Sequence, residues 1–365
     1  MKAGQSSSSL NIKKKEDKHR KSPKPGTQTL PEEKPREKTW KKALRWALQI
    51  VVIGVIAFFL VMTVVKNWTE IKNFDWHFNP WILAASFLVL LGTIFFMIIL
   101  WRGLIIRLGS TISLRSAFRI FTLSALGHYV PGKVWQIVGM VYLGRRNGVR
   151  TEAGVWAALL AQLLAILSGA LVTFGVLLVE QKRMLAPLLE KLGAQSISLW
   201  LILLPLALVL ALIHPRILEK VTNWILKLFK REAIRFNLSY PGLLLFFLLY
   251  IVSWFFYGFA FYLFLYSVAP IPLSDFLLVT GSFAAAYIVG LLALFVPGGL
   301  GVREGLIALF LSGVLTAGVA VALSFAQRLW FMCAELTFLL ISVIFLRRKN
   351  GKEEKKSAGK AGADI

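Results

Sequence analysis

The 365-residue sequence is poor in charged residues and in cysteine. Only 16% of its residues are charged and 57% are hydrophobic, whereas soluble domains contain about 25% charged and about 45–50% apolar residues. The single cysteine, Cys333, lies inside an apolar run, which excludes a disulfide-stabilised scaffold. The four histidines are scattered along the chain, so no zinc-site spacing is present. The composition is that of a polytopic membrane protein.

Basic residues are concentrated at the two ends of the chain. Residues 1–45 contain 14 Lys/Arg against 5 Asp/Glu, and residues 346–365 contain 7 against 3. Because these clusters flank apolar segments, the net charge of +24 indicates cytoplasmic flanks of a membrane domain and not a nucleic-acid partner. We predict a disordered basic cytoplasmic tail at 1–43, a transmembrane domain at 44–346 and a basic cytoplasmic tail at 347–365. The first tail can attract anionic lipids or serve only to solubilise the chain.

Six apolar runs are long enough to cross about 30 Å of hydrocarbon, which requires about 20 residues of helix. They lie at about 44–65, 80–101, 153–179, 197–213, 240–266 and 317–346. Two further apolar stretches, 117–143 and 274–313, are each interrupted by Val-Pro-Gly, which breaks a helix. Residues 215–235 place apolar side chains on one stripe, with lysines and an arginine off it, and predict an amphipathic helix in the membrane interface. The breaks consist of Pro131 and Gly132 in the first stretch, and Pro297, Gly298, Gly299 and Gly301 in the second.

The distribution of Lys and Arg among the loops favours re-entrant hairpins for the two broken stretches. With hairpins, 34 basic residues lie inside and 5 outside, and with full spans the numbers become 28 and 11. Short basic loops remain cytoplasmic, so we predict an all-α protein of the cell membrane with six full spans, two re-entrant elements and both termini inside. Full crossing stays open for the second stretch, because residues 274–296 alone are long enough to span when tilted.

The predicted order of elements repeats itself once. Span, span, hairpin and span follow each other twice, and the second set starts from the opposite side of the membrane. We therefore predict inverted repeats at about 44–179 and 197–346, a plan of secondary transporters in which broken helices mark the substrate site. The alternative is that two proline kinks coincide by chance.

Ionisable side chains inside apolar segments are energetically costly and indicate function. Each returning half-helix begins with unpaired N–H groups, which favour a phosphate or carboxylate. We therefore predict a site for an anionic group, in which Glu304 and Glu335 act as counter-charges when the site is empty. Three plainer alternatives remain: Lys133 reaches the interface, Arg328 and Glu335 form a structural pair, or His128 is a packing residue. The candidate substrate-binding residues are His128, Tyr129, Lys133, Gln136, Arg303, Glu304, Arg328 and Glu335.

No catalytic constellation is visible in the sequence. Gly127 to Lys133 has the spacing of a phosphate-binding loop, but Val134 follows where Ser or Thr is required, and no strand precedes it. No aspartate near His128 completes a Ser/His/Asp set. The sequence therefore predicts neither an enzyme nor a bound cofactor or metal.

Two segments carry a resemblance to a known family. Residues 127–135, GHYVPGKVW, and 295–304, FVPGGLGVRE, resemble the signatures of the lysylphosphatidylglycerol synthase transmembrane region, also called the flippase-like family. The likeness covers about residues 44–346. It implies movement of a charged lipid between leaflets, or support of glycolipid assembly. Only 18 residues follow Arg347, so we expect neither the aminoacyl-transferring domain of bifunctional members nor a tRNA partner.

Two functional interpretations follow from the residues and the resemblance together. The first is a translocase for an anionic or charged-headgroup phospholipid or a polyprenyl-linked glycolipid. The alternative is a non-transporting membrane accessory that holds a glycosyltransferase or a cell-envelope enzyme in place. A membrane-embedded transferase ranks last, because the sequence offers only His128 and two glutamates for its chemistry.

Overall fold

The computed structural model describes residues 65–129, 134–192, 240–293 and 296–361, with single positions between 58 and 62 and between 200 and 223. Within these residues the chain is helical and contains no strand. Several predicted segments lie wholly or mostly outside the described residues. They are the tail 1–43, the spans 44–65 and 197–213, and the interfacial helix 215–235. Pro131, Gly132 and Lys133 also lie outside them.

Nine α-helices are present in the described part of the chain. Short 3₁₀ turns lie at Leu126–Tyr129, Leu273–Asp275 and Pro297–Gly299. The helices are α1 (Trp68–Asn73), α2 (Pro80–Arg107), α3 (Leu114–Ala125), α4 (Trp135–Arg146), α5 (Thr151–Leu192), α6 (Tyr240–Tyr266), α7 (Phe276–Leu292), α8 (Val302–Leu311) and α9 (Ala317–Ala361).

Five helical segments are long and apolar enough to cross a membrane. Four of them coincide with predicted spans, and the fifth, Leu273–Leu292, is the first part of the second broken stretch. Large apolar side chains such as Leu88, Leu245 and Leu340 point away from the protein and are at least half exposed, as expected for a surface that contacts lipid. The chain is therefore a multi-pass helical membrane protein. The five segments are Pro80–Arg107, Thr151–Glu180, Tyr240–Tyr266, Leu273–Leu292 and Ala317–Ile344.

The first broken stretch forms two short antiparallel helices. α3 begins where the Ser113 hydroxyl accepts a hydrogen bond from the N–H of Ser116 at 3.1 Å. α3 and α4 have 12 residues each, or about 18 Å of helix, too short for either to cross the bilayer. A Cβ at Gly127 would lie 2.5 Å from the Gln136 nitrogen, and one at Gly139 would lie 3.0 Å from the Ser124 hydroxyl. The two helices therefore lie side by side and run in opposite directions.

The second broken stretch folds back on itself through a left-handed turn. Gly298 and Gly301 have φ angles of 59° and 79°, which side-chain-bearing residues rarely adopt. A Cβ at Gly290 would fall 2.2 Å from Cγ of Arg303, so α8 returns against the end of α7. Together with its preceding 3₁₀ turn, α7 has 20 residues, about 30 Å, and can cross the membrane. The two broken stretches thus differ in length.

The two halves of the described chain interlock. Long helix, broken element and long helix occur once as α2 to α5 and again as α6 to α9. The two long first helices pack together, where the Ser86 hydroxyl donates to the carbonyl of Ala260 at 2.8 Å. Each broken element packs against the last helix of the other half, α3 on α9 and α7 on α5. A Cβ at Gly281 would lie 2.6 Å from Val176, which shows how close α7 is to α5.

A charged cluster joins the end of the α5 span to the start of α7. The Arg183 guanidinium donates a hydrogen bond to Asp275, whose side chain is fully buried, and lies 3.6 Å from the Glu180 carboxylate. This hydrogen bond to Asp275 raises the pKa of Arg183. The cluster fixes the position of α7 relative to α5, beyond the membrane-spanning part of α5.

Candidate functional site

A partly open cavity of about 150 Å³ lies between the two broken elements. Its polar lining comes from both breaks and from the last helix. His128 and Gln136 lie on either side of the first break, Arg303 follows the second, and Glu335 projects from α9. Elements far apart in the chain therefore bring four of the eight predicted substrate-binding residues to one cavity, together with Gly298 of the second break.

Aromatic side chains form much of the remaining wall. They come mainly from α6 and α7, and α5 adds the polar side chain of Gln162. This wall was not predicted from the sequence: its α6 members share one face of the helix, but α6 is apolar on every face. The residues are Tyr250, Trp254 and Tyr257 on α6, and Phe283 and Tyr287 on α7.

Arg303 is the cation of the cavity. It is 7% exposed, and its Cζ lies 4.9 Å from the ring centroid of Tyr287 and 5.6 Å from that of Phe331. Gly290 leaves room for its aliphatic stem. Within the described part of the chain, the Arg303 guanidinium has no ion pair and no hydrogen bond. Aromatic faces stabilise a cation without neutralising it, so the N–H donors of Arg303 remain available to an anion.

Glu304 has two structural partners. Its Oε2 accepts a hydrogen bond from the N–H of Gly301 at 2.5 Å, which caps the first turn of α8. Its Oε1 lies 3.8 Å from Nε of Arg328, and both side chains are almost fully buried. The Arg328 guanidinium also lies over the ring of Tyr129, 5.5 Å from its centroid. Glu304 and Arg328 therefore face each other as opposite buried charges outside the cavity lining, but Oε1 of Glu304 and Nε of Arg328 form no hydrogen bond within the described residues.

Glu335 pairs with the first break. It accepts a hydrogen bond from the Tyr129 hydroxyl at 2.5 Å and lies 3.7 Å from Nε2 of His128. Arg328 lies within 4 Å of Glu304 and not of Glu335 among the described residues, so a structural pair of Arg328 with Glu335 would act without a direct contact. Arg328 and Glu335 are seven residues apart on α9, which corresponds to a rise of about 10.5 Å along the helix. Each therefore finds a closer partner on a neighbouring element than in the other. His128 is therefore a partner of a carboxylate and not only a packing residue.

The eight candidate residues fall into three groups. His128, Gln136, Arg303 and Glu335 line the cavity. Tyr129, Glu304 and Arg328 contact that group or each other, and Lys133 lies outside the described residues. A search of the described residues finds no group of three His, Cys, Asp or Glu that could hold a metal ion. The arrangement is suited to binding a charged group, with donors from Arg303 and acceptors from Glu335.

Comparison with protein families gives one match. The model of the lysylphosphatidylglycerol synthase TM region matches residues 46–354 and includes both broken elements and the last long helix. No curated protein matches the chain.

Proposed function

We propose a lipid-translocating function on the premise that this chain belongs to the lysylphosphatidylglycerol synthase TM region family. The substrate is an anionic or charged-headgroup phospholipid or a polyprenyl-linked glycolipid of the cell membrane. Its phosphate binds in the cavity between the two breaks. The chain binds and moves this lipid without making or breaking a covalent bond.

The state of Arg303 carries the proposal. A buried cation without a paired anion is unfavourable in a low-dielectric interior. The aromatic rings around Arg303 offset only part of this penalty. A phosphate oxygen in the cavity would accept the charge-assisted hydrogen bonds that no described carboxylate accepts from Arg303. The site is therefore more stable with an anion bound than without one.

The topology that we propose is an inverted repeat of two halves with re-entrant broken elements. Support comes from the repeated element order and from the antiparallel pairing of α3 with α4. The packing of each broken element on the last helix of the other half is also what a two-fold relation requires. With both termini cytoplasmic, the two breaks meet near the middle of the bilayer, where a headgroup in transit must be stabilised.

Glu304 and Glu335 supply the negative charges of the site when no ligand is bound. Glu304 lies 3.8 Å from Arg328, and Arg303 is the arginine that lines the cavity among the described residues. Glu335, held by Tyr129 and His128, is the carboxylate of the same lining and can pair with a positive group on the headgroup. These residues bind and position the lipid, and the movement itself requires the surrounding helices to shift.

A transport assay on the purified protein tests the proposal. Liposomes containing the full chain and a fluorescent phosphatidylglycerol are treated with an impermeant quencher, which reports the rate at which lipid changes leaflet. We expect Arg303→Ala to slow the rate about tenfold or more, since one charge-assisted hydrogen bond contributes about 1.5–3 kcal/mol. Arg146→Ala, at an exposed position at the end of α4, is the matched control.

Two outcomes of this assay would contradict the proposal. If Arg303→Ala moves lipid as fast as the unchanged protein, the site is wrongly assigned. If the unchanged protein moves no lipid but is purified with a stable glycosyltransferase or cell-envelope enzyme, the accessory role is the correct interpretation.

A further inference from the structure

A second, smaller cavity of about 50 Å³ lies at the seam between α3 and α9. Its lining is almost entirely apolar and includes Leu126 from the end of α3 and Met332, Leu336 and Leu339 from α9. Leu126 and Leu336 are 46% and 50% exposed. On a helix long enough to span the membrane, such exposed leucines face lipid. The cleft therefore opens towards the hydrocarbon of the bilayer.

The cleft is continuous with the larger cavity. Thr122, Ala125 and Glu335 line both. The hydrogen bond from the Tyr129 hydroxyl to Glu335 lies where the two cavities meet, since Tyr129 lines the cleft and Glu335 lines both. The cavity that contains Arg303 and an apolar groove are thus joined where Tyr129 donates its hydrogen bond to Glu335.

We propose that this cleft binds the hydrocarbon chain of the lipid whose headgroup occupies the larger cavity. The inference rests on the proposed function and names the path by which a lipid enters from the side. A headgroup passing between α3 and α9 must separate Tyr129 from Glu335, so this pair acts as a latch. Its chain then remains in the apolar groove, with its far end among the membrane lipids. An acyl or prenyl chain is the occupant because the groove is apolar, exposed to lipid and connected to the headgroup site.

Filling the groove tests the proposal. In Leu336→Trp the larger indole occupies the cleft, and because Leu336 is half exposed the substitution does not disturb the core. We expect transport of fluorescent phosphatidylglycerol in liposomes to fall about tenfold, with binding of glycerol phosphate unchanged. The control is Leu340→Trp, one turn further along α9, which is 57% exposed and does not line the cleft.

Photolabelling of the unchanged protein provides a second measurement that does not depend on a variant. A phosphatidylglycerol with a diazirine in its acyl chain should label residues in 122–129 and 332–339 more strongly than the lipid-facing surface of α9 around Leu340. Absence of label in both segments overturns the proposal.

The controls separate the two proposals from each other. If the unchanged protein binds glycerol phosphate and moves lipid while Leu336→Trp behaves like Leu340→Trp, the lateral path is wrong and the proposed function stands. If the unchanged protein neither binds glycerol phosphate nor moves lipid, the proposed function itself is wrong.

Discussion

Gly290 lies so close to Arg303 that the substitution Gly290→Ala, which adds one methyl group, tests whether the position of Arg303 determines ligand binding. In Gly290→Ala, the new Cβ would lie 2.2 Å from Cγ and 2.9 Å from Cδ of Arg303. Carbon atoms do not approach this closely, and the second break packs so tightly here that a Cβ added at Gly299 would lie 2.9 Å from the carbonyl oxygen of Gly290. The Arg303 side chain must therefore leave its position between the aromatic rings.

The size of the effect follows from three contributions. Overpacking a buried site costs about 1–3 kcal/mol, and each lost cation–π contact costs about 0.5–2 kcal/mol. Alanine in place of glycine in a helix returns about 1 kcal/mol. If one such contact is lost, we expect a net destabilisation of about 0.5–4 kcal/mol. Because the displaced guanidinium loses a charge-assisted hydrogen bond to phosphate of about 1.5–3 kcal/mol, ligand binding should weaken about ten- to hundredfold.

The matched control is Gly305→Ala in α8, where an added Cβ meets no atom within 4 Å. Thermal unfolding in detergent and titration with glycerol phosphate should separate the two variants. Gly305→Ala should be as stable as the unchanged protein or slightly more stable, with the same affinity. If Gly290→Ala matches it in both measurements, the position of Arg303 does not determine binding.

Two further predictions concern the buried charges. Glu304→Gln keeps an acceptor for the Gly301 N–H but removes the charge opposite Arg328, so we expect a loss of about 3 kcal/mol in thermal unfolding experiments. A double variant with Arg328→Met whose loss equals the sum of the single losses would show that the pair is not coupled. Arg183→Met leaves the buried carboxylate of Asp275 without its partner and should cost about 1–3 kcal/mol. Asp275→Asn should restore part of this stability, and no recovery in the double variant would contradict the assignment.

The sequence predicts those parts of the architecture that depend on one helix alone, such as the positions of the membrane spans. Runs of apolar residues longer than the hydrocarbon thickness can only be helices in a membrane. Four predicted spans therefore coincide with α2, α5, α6 and α9. Breaks at proline and glycine were predictable for the same reason, because they interrupt the backbone hydrogen bonds of the helix itself.

The contacts between helices were not predictable to the same extent. α6 is apolar around its whole circumference, so its sequence does not indicate that Tyr250, Trp254 and Tyr257 face a cavity. Arg328 and Glu335 share a helix face, but their partners are set by the packing of α9 on the two breaks. Such pairings depend on tertiary contacts between distant segments. The spacing of residues along one helix gives no information about these contacts.

The interlocking of the two halves has a consequence for biosynthesis. Tyr129 and Glu335 are 206 residues apart in the chain, and translation at about 5–20 residues per second separates their emergence by about 10–40 s. During that interval the first broken element is in the membrane without the helix that covers it. The helix that completes the charged centre, α9, therefore leaves the ribosome after all the other described helices.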